Sequence, residues 1–497
     1  MSAEFIVGID SSTQSTKAIA WSRDGIAIAE GRSAIPMSQP DEGRFEQEPE
    51  HWWEASVDAL RKLGCNVNMS DAKAVAVSNQ RETIGFLDRD GGSIRPAMVW
   101  LDERARTTAA QYSESFGAND LHRISGKPVD LTPAVYRLHW LSLHEPDTLK
   151  AVAQFVDVHG YLAGRLTGRN TSSWTSADPM GTFDISAFEW STEILGSLGL
   201  TPSQFAPAVA PGTKIGHVTE KAAVETGLPA GLPVIAAGGD GQCAGLGVDA
   251  MQSGRAYLNL GTALVIGAWG QLPTPSHEWR TMCSPTGEGY FYEGVLRAGT
   301  FLVDWFVKNF VDPEPDASTF EFLERQAAAI PVGSSGVLVS PYLSGSMNPH
   351  WSMDASASIF GLRPSHGQGH IYRAILESLT GEVARTVLAM QKLGVKIEQI
   401  VAVGGGTNSA LWRSMIADAT GLPLRVSESP EASSLGAAIT AAKGIGWYPD
   451  FASAAEAMST MGDSFEPVQQ DCAAWRALLE QQDALNRILV AESTRIA

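Results

Sequence analysis

Short apolar runs alternate with polar turns at the start of the chain. Phe5–Ile9, Ala18–Trp21 and Ile26–Ala29 are the apolar runs, and Asp10–Thr16 and Arg23–Gly25 are the turns between them. Apolar runs of this length that end in turn residues predict β-strands joined as hairpins. The pattern therefore predicts three consecutive strands, with a carboxylate and a hydroxyl-rich turn directly after the first.

The next segment combines a helix with strands that end in polar residues. Glu50–Leu63 has apolar residues at helical spacing. Further strands are predicted over Ala74–Ser78, up to Phe86 and over Pro96–Leu101, whereas residues 104–200 are predicted to be mostly helical. The first of these strands runs into the sequence NQRE, so polar side chains are expected at its carboxyl end.

The composition of the sequence changes at Leu232–Gly247, where an apolar predicted strand is followed by glycines around Asp240. Glycines on both sides allow other groups to approach the backbone closely. We take this stretch as the domain boundary and predict two domains, residues 1–247 and 248–497.

The second domain begins with the same pattern as the first. Arg255–Leu260 and Leu264–Trp269 are predicted strands, and Gly261–Ala263 is the small polar turn between them. The residues differ from those of the first segment although the pattern recurs, so this is a weak internal repeat.

The remaining segments of the second domain alternate between helices and a strand. Apolar residues recur at four-residue spacing from His370 to Met390, which predicts a long amphipathic helix. The other predicted elements are a strand at Ile400–Val403 followed by Gly404–Gly406, and helices at about 410–420, at Ser434–Lys443 and over the tail 465–497. This order of elements predicts an α/β fold.

Composition restricts the class of protein. The chain has 497 residues, with 36 Lys and Arg against 55 Asp and Glu, a formal net charge of −19. Such a negative surface repels phosphate backbones, so nucleic acid is not an expected partner. The four cysteines form no CxxC pair, and no apolar run reaches the ~18 residues that span a bilayer. We expect a cytoplasmic enzyme that is neither membrane-bound nor disulfide-bonded.

Common nucleotide-binding motifs are absent, since the sequence contains no GxxxxGK[ST] and no complete GxGxxG. It offers instead three turns that each follow an apolar strand: Asp10–Thr16, Gly261–Ala263 and Gly404–Thr407. Exposed N–H groups in such turns bind anionic oxygens. Each turn alone could be an ordinary tight turn, but three of them in both halves of the chain indicate a nucleotide between two lobes.

Two carboxylates follow predicted strands. Asp240 can accept a proton or bind a metal, although a turn aspartate often bonds its own backbone. Asp10 is the second acid, and Mg²⁺ usually takes one or two carboxylates together with phosphates and water. Arg81 and Glu82 could form a solvated edge or bind the hydroxyls of a small substrate, and Trp100 could belong to the core or provide an apolar wall.

These motifs, in this order, resemble the FGGY carbohydrate kinase family, the group that contains glycerol kinase, xylulokinase and gluconokinase. The resemblance rests on these stretches of the sequence: GIDSSTQSTKA, SNQRETIGF, AMVWLDERA, TSADPMGTFDI, AAGGDGQCAG, LNLGTA, ASIFGLRPSHGQGHIYRAILE and VAVGGGTNSALWRSMIADATG. Together they extend over nearly the whole chain. The resemblance implies an α/β fold of two actin-like (ribonuclease-H-like) domains with an interdomain cleft.

The resemblance also implies an ATP-dependent kinase of a small sugar or polyol, with Mg²⁺. Asp240 would be the general base, and Asp10 and Asp240 would hold the metal. The substrate-binding residues that it implies are Arg81, Glu82, Trp100, Asp240 and Gln242. The ATP-binding residues are Ser12, Thr13, Gln14, Gly261, Thr262, Gly299, Gly405 and Gly406. A homodimer is compatible with the resemblance.

Two departures bear on the substrate. Arg137 stands where the family usually has Lys, and Thr132 stands where glycerol kinase places a Tyr on glycerol. A lost ring enlarges the pocket, so a C4–C5 polyol or ketose is favoured and glycerol remains possible. The NQRE stretch differs from the QMHG-type stretch of xylulokinase, which argues against a plain xylulose kinase. The alternative functions are an actin-fold ATPase, which leaves Arg81 and Trp100 unexplained, and a catalytically silent sugar-binding regulator.

Overall fold

Two large β-sheets with matching strand arrangements form the framework of the protein. The computed structural model describes residues 4–429 and 431–496. The first sheet has the strand order β13-β14-β5-β1-β2-β3 and the second has β17-β18-β16-β15-β21-β22-β23. In the first half the strands are β1 (Phe5–Ser11), β2 (Ser15–Trp21), β3 (Ala27–Ala34), β4 (Glu46–Gln47), β5 (Ala72–Asn79), β6 (Ile84–Leu87), β7 (Ser93–Met98), β8 (Gln154–Val156), β9 (Ser172–Ser173), β10 (Phe183–Asp184), β11 (Glu189–Trp190), β12 (Ala208–Val209), β13 (Lys214–His217) and β14 (Pro233–Gly239).

The first sheet and a small four-stranded sheet, β4-β7-β6-β8, are surrounded by helices. The helices of the first half are α1 (Pro49–Gly64), α2 (Arg106–Phe116), α3 (Ala118–Ser125), α4 (Ala134–His144), α5 (Pro146–Ala151), α6 (Val158–Thr167), α7 (Trp174–Ala177), α8 (Thr192–Ser197), α9 (Glu220–Thr226) and α10 (Asp240–Gly247).

The second half continues with nine strands and seven helices among the described residues. The strands are β15 (Gly254–Leu260), β16 (Leu264–Gly270), β17 (Arg280–Cys283), β18 (Tyr290–Leu296), β19 (Leu338–Ser340), β20 (Ser358–Phe360), β21 (Ile397–Val403), β22 (Leu424–Ser427) and β23 (Met461–Phe465). The helices are α11 (Thr300–Phe310), α12 (Ala317–Ala328), α13 (Gln368–Lys392), α14 (Ala410–Thr420), α15 (Ala432–Gly444), α16 (Phe451–Met458) and α17 (Gln469–Ile496).

The internal repeat seen in the sequence is present in the strand pairing. In the first sheet β1 pairs antiparallel with β2 and parallel with β5, and β5 pairs parallel with β14. In the second sheet β15 pairs antiparallel with β16 and parallel with β21, and β21 pairs parallel with β22. The two halves therefore share one topology although their sequences differ.

The predicted elements are found, with shifted ends. The extended segment predicted over Pro96–Leu101 ends as a strand at Met98, because Trp100 and Leu101 lie in a turn. The glycine-rich stretch around Asp240 is a helix that begins at that residue. The predicted tail helix begins at Gln469, and residue 497 lies outside the described residues. No helix in the described ranges is long and apolar enough to cross a membrane.

Strand β1 is buried on both faces, as expected for the middle of a sheet with helices on each side. Phe5, Val7 and Ile9 belong to the cluster that includes α1 and α6, whereas Ile6 belongs to the cluster that includes α10 and α15. Alternate residues of a strand point to opposite faces of the sheet. This position fixes the end of β1, and with it Asp10.

Helices α10 and α15 join the two halves. Helix α15 follows β22 of the second sheet yet packs on β1, β5 and β14 of the first. A Cβ on Gly436 would lie 1.8 Å from the Cys243 carbonyl oxygen, and a Cβ on Gly247 would lie 2.0 Å from the Ala432 carbonyl oxygen. The two helices approach so closely that only glycine fits at these contacts. The domain boundary after residue 247 remains a prediction.

Candidate functional site

Three neighbouring parallel strands bring the sequence-predicted polar residues to one edge of the first sheet. Asp10 on β1 is in register with Ser78 on β5, and Gly239 at the end of β14 is in register with Asn79. The carboxyl ends of parallel strands meet at the same sheet edge, which is where ligands bind in open α/β sheets. Arg81 lies just after the end of β5, and Asp240 directly follows β14.

Asp240 is the first residue of helix α10, and one of its two carboxylate oxygens carries both of its recorded contacts. Oδ1 accepts a hydrogen bond from the Gly241 N–H at 2.7 Å and lies 3.2 Å from Arg81 Nε. Within residues 4–429 and 431–496, Oδ2 has no recorded partner, and 36% of the side chain is exposed. Burial raises the pKa of Asp240, and the positive charge of Arg81 opposes part of that rise. The raised pKa makes the Asp240 carboxylate a stronger base.

Asp10 lies deeper than Asp240 and is 8% exposed. Its Oδ1 accepts a hydrogen bond from Ser78 Oγ at 3.0 Å. Burial and the negative charge of Asp240 raise the pKa of Asp10 to about 6. Two acids that destabilise each other's charge are a suitable pair for a divalent cation, which would compensate both.

Arg81 and Glu82 belong to a chain of alternating charges. Arg81 Nη1 lies 2.7 Å from Glu293 Oε2, and Arg280 Nη1 lies 2.8 Å from Glu82 Oε1. Arg280 Nη2 also pairs with Glu293 Oε1, so Glu293 bridges the two arginines. Burial raises the pKa of Glu293, but the two arginines lower it to about 2. The chain runs from Asp240 through these four residues without an unpaired charge.

Gln242 lies beside this chain and is fully buried. Its Oε1 accepts a hydrogen bond from Arg81 Nη1 at 3.2 Å, and its Nε2 donates to the Thr175 carbonyl at 3.4 Å. Gln242 therefore lies behind Arg81 and holds it.

Trp100 contacts the turn Asp10–Thr16 through a hydrogen bond. Its Nε1 donates to Thr13 Oγ1 at 2.9 Å, and 37% of the residue is exposed. The N–H groups of Thr13 and Gln14 have no recorded acceptor within the described part of the chain, whereas the N–H and hydroxyl of Ser12 both donate to the Ser15 carbonyl. Ser12 thus fixes the turn, and the next two amides are available to an anion.

The turns Gly261–Ala263 and Gly404–Thr407 meet at the edge of the second sheet. Gly299 N donates to the Thr262 carbonyl at 2.8 Å, and the Thr300 N–H donates to the Gly261 carbonyl at 2.9 Å. A Cβ on Gly406 would lie 2.8 Å from Leu260 Cβ. These glycines lie together because β15 and β21 are adjacent parallel strands that end here.

Gly405 and Gly406 differ in their surroundings. Gly405 is exposed, and a Cβ there would meet nothing within 4 Å. Gly406 is buried, and a Cβ there would lie 2.7 Å from Trp412 Cζ3. Gly405 therefore faces open space, while Gly406 packs against the second sheet.

The predicted residues thus form two groups. The first contains Asp10, Ser12–Gln14, Arg81, Glu82, Trp100, Asp240 and Gln242, and the second contains Gly261, Thr262, Gly299, Gly405 and Gly406. Among the residues that the structure describes, no hydrogen bond or ion pair links the two groups directly. A ligand that touches both groups would have to bridge the lobes.

Arg137 and Thr132 are the two departures from the family pattern, and Arg137 contacts the backbone of Glu82. Arg137 is fully buried and donates to the carbonyls of Glu82 and Leu131. Glu82 has a φ of 62°, a left-handed conformation that is costly for a residue other than glycine. Thr132 is buried and donates to Asp130. Arg137 therefore stabilises the backbone that presents Glu82.

Sequence reasoning missed Arg280 and Glu293. Both are charged residues within otherwise apolar strands, β17 and β18. A lone charge inside a buried strand requires a partner, and this was the available signal. The partner's identity could not be read from the sequence, since Glu293 is 212 positions from Arg81.

The oxygen donors at the first group fit a magnesium ion. Asp10 and Asp240 are carboxylates that interact electrostatically, and Mg²⁺ commonly uses one or two carboxylates with phosphate and water as its remaining ligands. The described residues contain no group of three or more His, Cys, Asp or Glu suited to a metal. An ion here would depend on a phosphate ligand for part of its coordination.

Family models match most of the chain. The model of the FGGY family of carbohydrate kinases, N-terminal domain, matches residues 5–247, and that of the C-terminal domain matches residues 256–445. The xylulose kinase of Bacillus subtilis is 27% identical over 481 residues, 96% of this chain and 95% of that protein. The gluconokinase of the same organism is 25% identical over 505 residues, 99% of this chain and 98% of that protein.

Solved structures share the fold over the full length. The xylulose kinase from Rhodospirillum rubrum superposes with a TM-score of 0.93 at 25% identity, with 99% of this chain and 100% of that chain covered. The gluconate kinase from Lactobacillus acidophilus gives a TM-score of 0.94 at 22% identity and 100% coverage of both chains. The two-domain, actin-like architecture is therefore confirmed.

Proposed function

The chain belongs to the FGGY family of carbohydrate kinases, and from that premise we propose that it transfers the γ-phosphate of ATP to a hydroxyl of a small neutral polyol or ketose. The observation that carries the proposal is the asymmetric carboxylate of Asp240. Oδ1 is occupied by Gly241 and Arg81, and Oδ2 has no recorded partner in the described ranges. One oxygen is thus available to accept a proton from a substrate hydroxyl.

The reaction follows from this arrangement. A substrate hydroxyl donates its proton to Asp240 Oδ2, and its oxygen forms a bond to the γ-phosphorus while the bond between that phosphorus and the β–γ bridging oxygen breaks. The products are a phosphate ester and ADP. In a loose phosphoryl transition state the enzyme contributes mainly alignment and charge stabilisation. Arg81 holds Asp240 Oδ1 and so fixes the direction of Oδ2.

The phosphate-binding groups that support this proposal are the amides of Thr13 and Gln14 in the first turn and of Gly261 and Thr262 in the second. These four N–H groups have no recorded acceptor in the described ranges. Mg²⁺ bound at Asp10, where it would also compensate the nearby charge of Asp240, would neutralise charge on the phosphates and leave Asp240 Oδ2 to act as the base. We further propose that closure of the two lobes on ATP brings the turns together and excludes water.

The charge pattern favours a neutral substrate over an aldonate. Arg81 and Arg280 are paired with carboxylates, and Arg297 Nη2 lies 3.0 Å from Asp130 Oδ1. The buried Arg137 donates to backbone carbonyls. A substrate carboxylate that bound Arg81, Arg280 or Arg297 would have to displace the carboxylate already paired with it and leave that charge unpaired, which costs binding energy. Substrate hydroxyls can form hydrogen bonds with the same side chains without displacing their ion-pair partners.

An ADP-release assay over C3–C6 polyols, ketoses and aldonates tests the proposal. We expect the highest kcat/KM with a C4–C5 polyol or ketose, with xylulose and gluconate as informative comparisons because relatives are named for them. ADP release that is independent of every added carbohydrate would contradict kinase activity. A preference for gluconate would contradict the argument from charge but not the kinase assignment.

Two further proposals concern the cellular location and the oligomeric state of the protein. Use of ATP and Mg²⁺ is consistent with a cytoplasmic location, which fractionation of cells would test. The oligomeric state that we propose is a homodimer, and sedimentation of the purified protein would distinguish it from a monomer.

A further inference from the structure

We propose that Arg280 and Glu293, two residues of the second half of the chain, are positioning residues that hold the substrate-binding pair Arg81–Glu82 in place. This inference rests on the proposed function, because it concerns the residues that would bind the substrate. It goes further by making the hairpin β17–β18 part of the substrate site.

The first support is the geometry of the hairpin. Arg280 on β17 and Glu293 on β18 are directly opposite each other in the antiparallel register. Opposite charges at such positions attract each other across the strands. The pair is almost completely buried, with Arg280 at 3% and Glu293 at 0% exposure.

The second support is that Glu293 and Arg280 each contact one member of the pair Arg81–Glu82. Glu293 Oε2 is 2.7 Å from Arg81 Nη1, and Arg280 Nη1 is 2.8 Å from Glu82 Oε1. The charges therefore form an open chain, Asp240–Arg81–Glu293–Arg280–Glu82, in which each arginine has two carboxylate neighbours. Removing one partner from a buried ion pair leaves an uncompensated charge, so the positions of all four depend on one another.

The third support is the conformation of Glu82. Its left-handed backbone is tied by Arg137 from one side, and its side chain is tied by Arg280 from the other. A strained residue persists only when its surroundings hold it. Arg280 is the only recorded hydrogen-bond donor to the Glu82 carboxylate among the described residues.

The test is substitution of Arg280 by Gln in the full-length enzyme. The charged groups around Glu82 are Arg280, Arg81, Glu293, Asp240 and Arg137, and the variant removes the cation that lies nearest the carboxylate. We expect the KM for the carbohydrate to rise about tenfold or more while the KM for ATP changes less than about twofold, because loss of one buried charge partner weakens binding by that order. R280K should restore part of the loss, since an ammonium can contact one carboxylate.

The pH profile separates positioning from a purely structural role. Burial raises the pKa of Glu82 and the charge of Arg280 opposes part of that rise, so removal of Arg280 raises the pKa of Glu82 further. The fall of the KM for the carbohydrate with rising pH should therefore lie at higher pH in R280Q than in the wild type. R373Q is the matched control, because Arg373 is a similarly buried arginine paired with Glu377 in the same half of the chain. It should alter stability without altering the KM or its pH dependence.

A crystal structure of R280Q gives a readout that needs no activity. We expect Glu82 or Arg81 to leave its wild-type position. Unchanged positions of both residues, or a folded R280Q with wild-type KM and pH profile, would overturn the inference, and if R280Q fails to fold the same criteria apply to E293Q, which removes the carboxylate between Arg81 and Arg280. A wild-type enzyme without carbohydrate-dependent ADP release would instead refute the proposed function, while the crystal structures would still decide this inference.

Discussion

Arg81 Nε lies 3.2 Å from Asp240 Oδ1, and the same guanidinium reaches Glu293 through Nη1 at 2.7 Å. One side chain thus connects the proposed general base to a residue from the other half of the chain. Because Arg81 neutralises part of the charge on Asp240, it lowers a pKa that burial raises. Burial and Arg81 together therefore set the strength of the base, and Arg81 and the Gly241 N–H fix its direction.

Asp240→Asn should reduce kcat by about 10²–10⁴-fold, the usual contribution of a general base, because an amide cannot accept the hydroxyl proton. The fold should be retained, since Asn can still accept the hydrogen bond from Gly241. The measurements are kcat and the thermal unfolding midpoint, with Asp41→Asn, an exposed acid, as the control. A variant that keeps more than about a tenth of the rate would remove Asp240 from this role.

Arg81→Ala should mainly raise the KM for the carbohydrate and leave ATP binding unchanged. It should also move the acid limb of kcat/KM to higher pH, because loss of the Arg81 cation raises the pKa of Asp240, and the base works only when deprotonated. Arg95→Ala is the matched control, since Arg95 is equally buried and bridges Glu46 and Glu145 in the same half of the chain. Equal weakening of ATP and carbohydrate binding would contradict the assignment.

Asp10→Asn should stabilise the protein at neutral pH in the absence of divalent cations. The pKa of Asp10 is raised from 3.8 to about 6, so the folded state binds a proton more tightly than the unfolded state does. The destabilisation of the folded state by the charged Asp10 is therefore absent below pH 3.8, grows as the pH rises to about 6, and is complete above it, at about 3 kcal/mol. Asn keeps an acceptor for Ser78.

Thermal unfolding at pH 4 and pH 7.5 measures this effect. The gain in the unfolding midpoint should be present at pH 7.5 and small at pH 4, and Mg²⁺ with ATP should stabilise the wild type more than the variant. A variant that is less stable than the wild type at pH 7.5 without divalent cations would show that the Asp10 charge is already compensated.

Gly405→Ala tests whether the turn Gly404–Thr407 lies against the nucleotide. Because a Cβ at this position would meet nothing within 4 Å, the substitution should leave stability unchanged but obstruct a nucleotide that lies against the turn. We expect the KM for ATP to rise while the KM for the carbohydrate is unchanged. Gly196→Ala is the control, since a Cβ there also meets nothing within 4 Å and lies far from both proposed groups in sequence. Identical ATP kinetics in both variants would remove Gly405 from the site.

Local pattern was sufficient to predict most of the framework. The long helix expected over His370–Met390 is present as Gln368–Lys392, and the helix expected over Ser434–Lys443 as Ala432–Gly444. The end of the strand expected over Pro96–Leu101 was misplaced because its apolar residues continue into a turn. Apolar periodicity reports which face is buried and does not report where hydrogen bonding to a neighbouring strand stops.

The two strand-turn-strand units, Asp10 and Asp240 at strand ends, and the family could all be predicted from the sequence, because each depends on residues close together in the chain. The surroundings of those two acids could not, because they are formed by residues far apart in the chain. Glu82 and Arg280 are 198 positions apart, and helix α15 crosses from the second half to the first sheet. Charge pairing and helix packing act through space, so a linear pattern shows that a buried charge needs a partner but not which residue provides it.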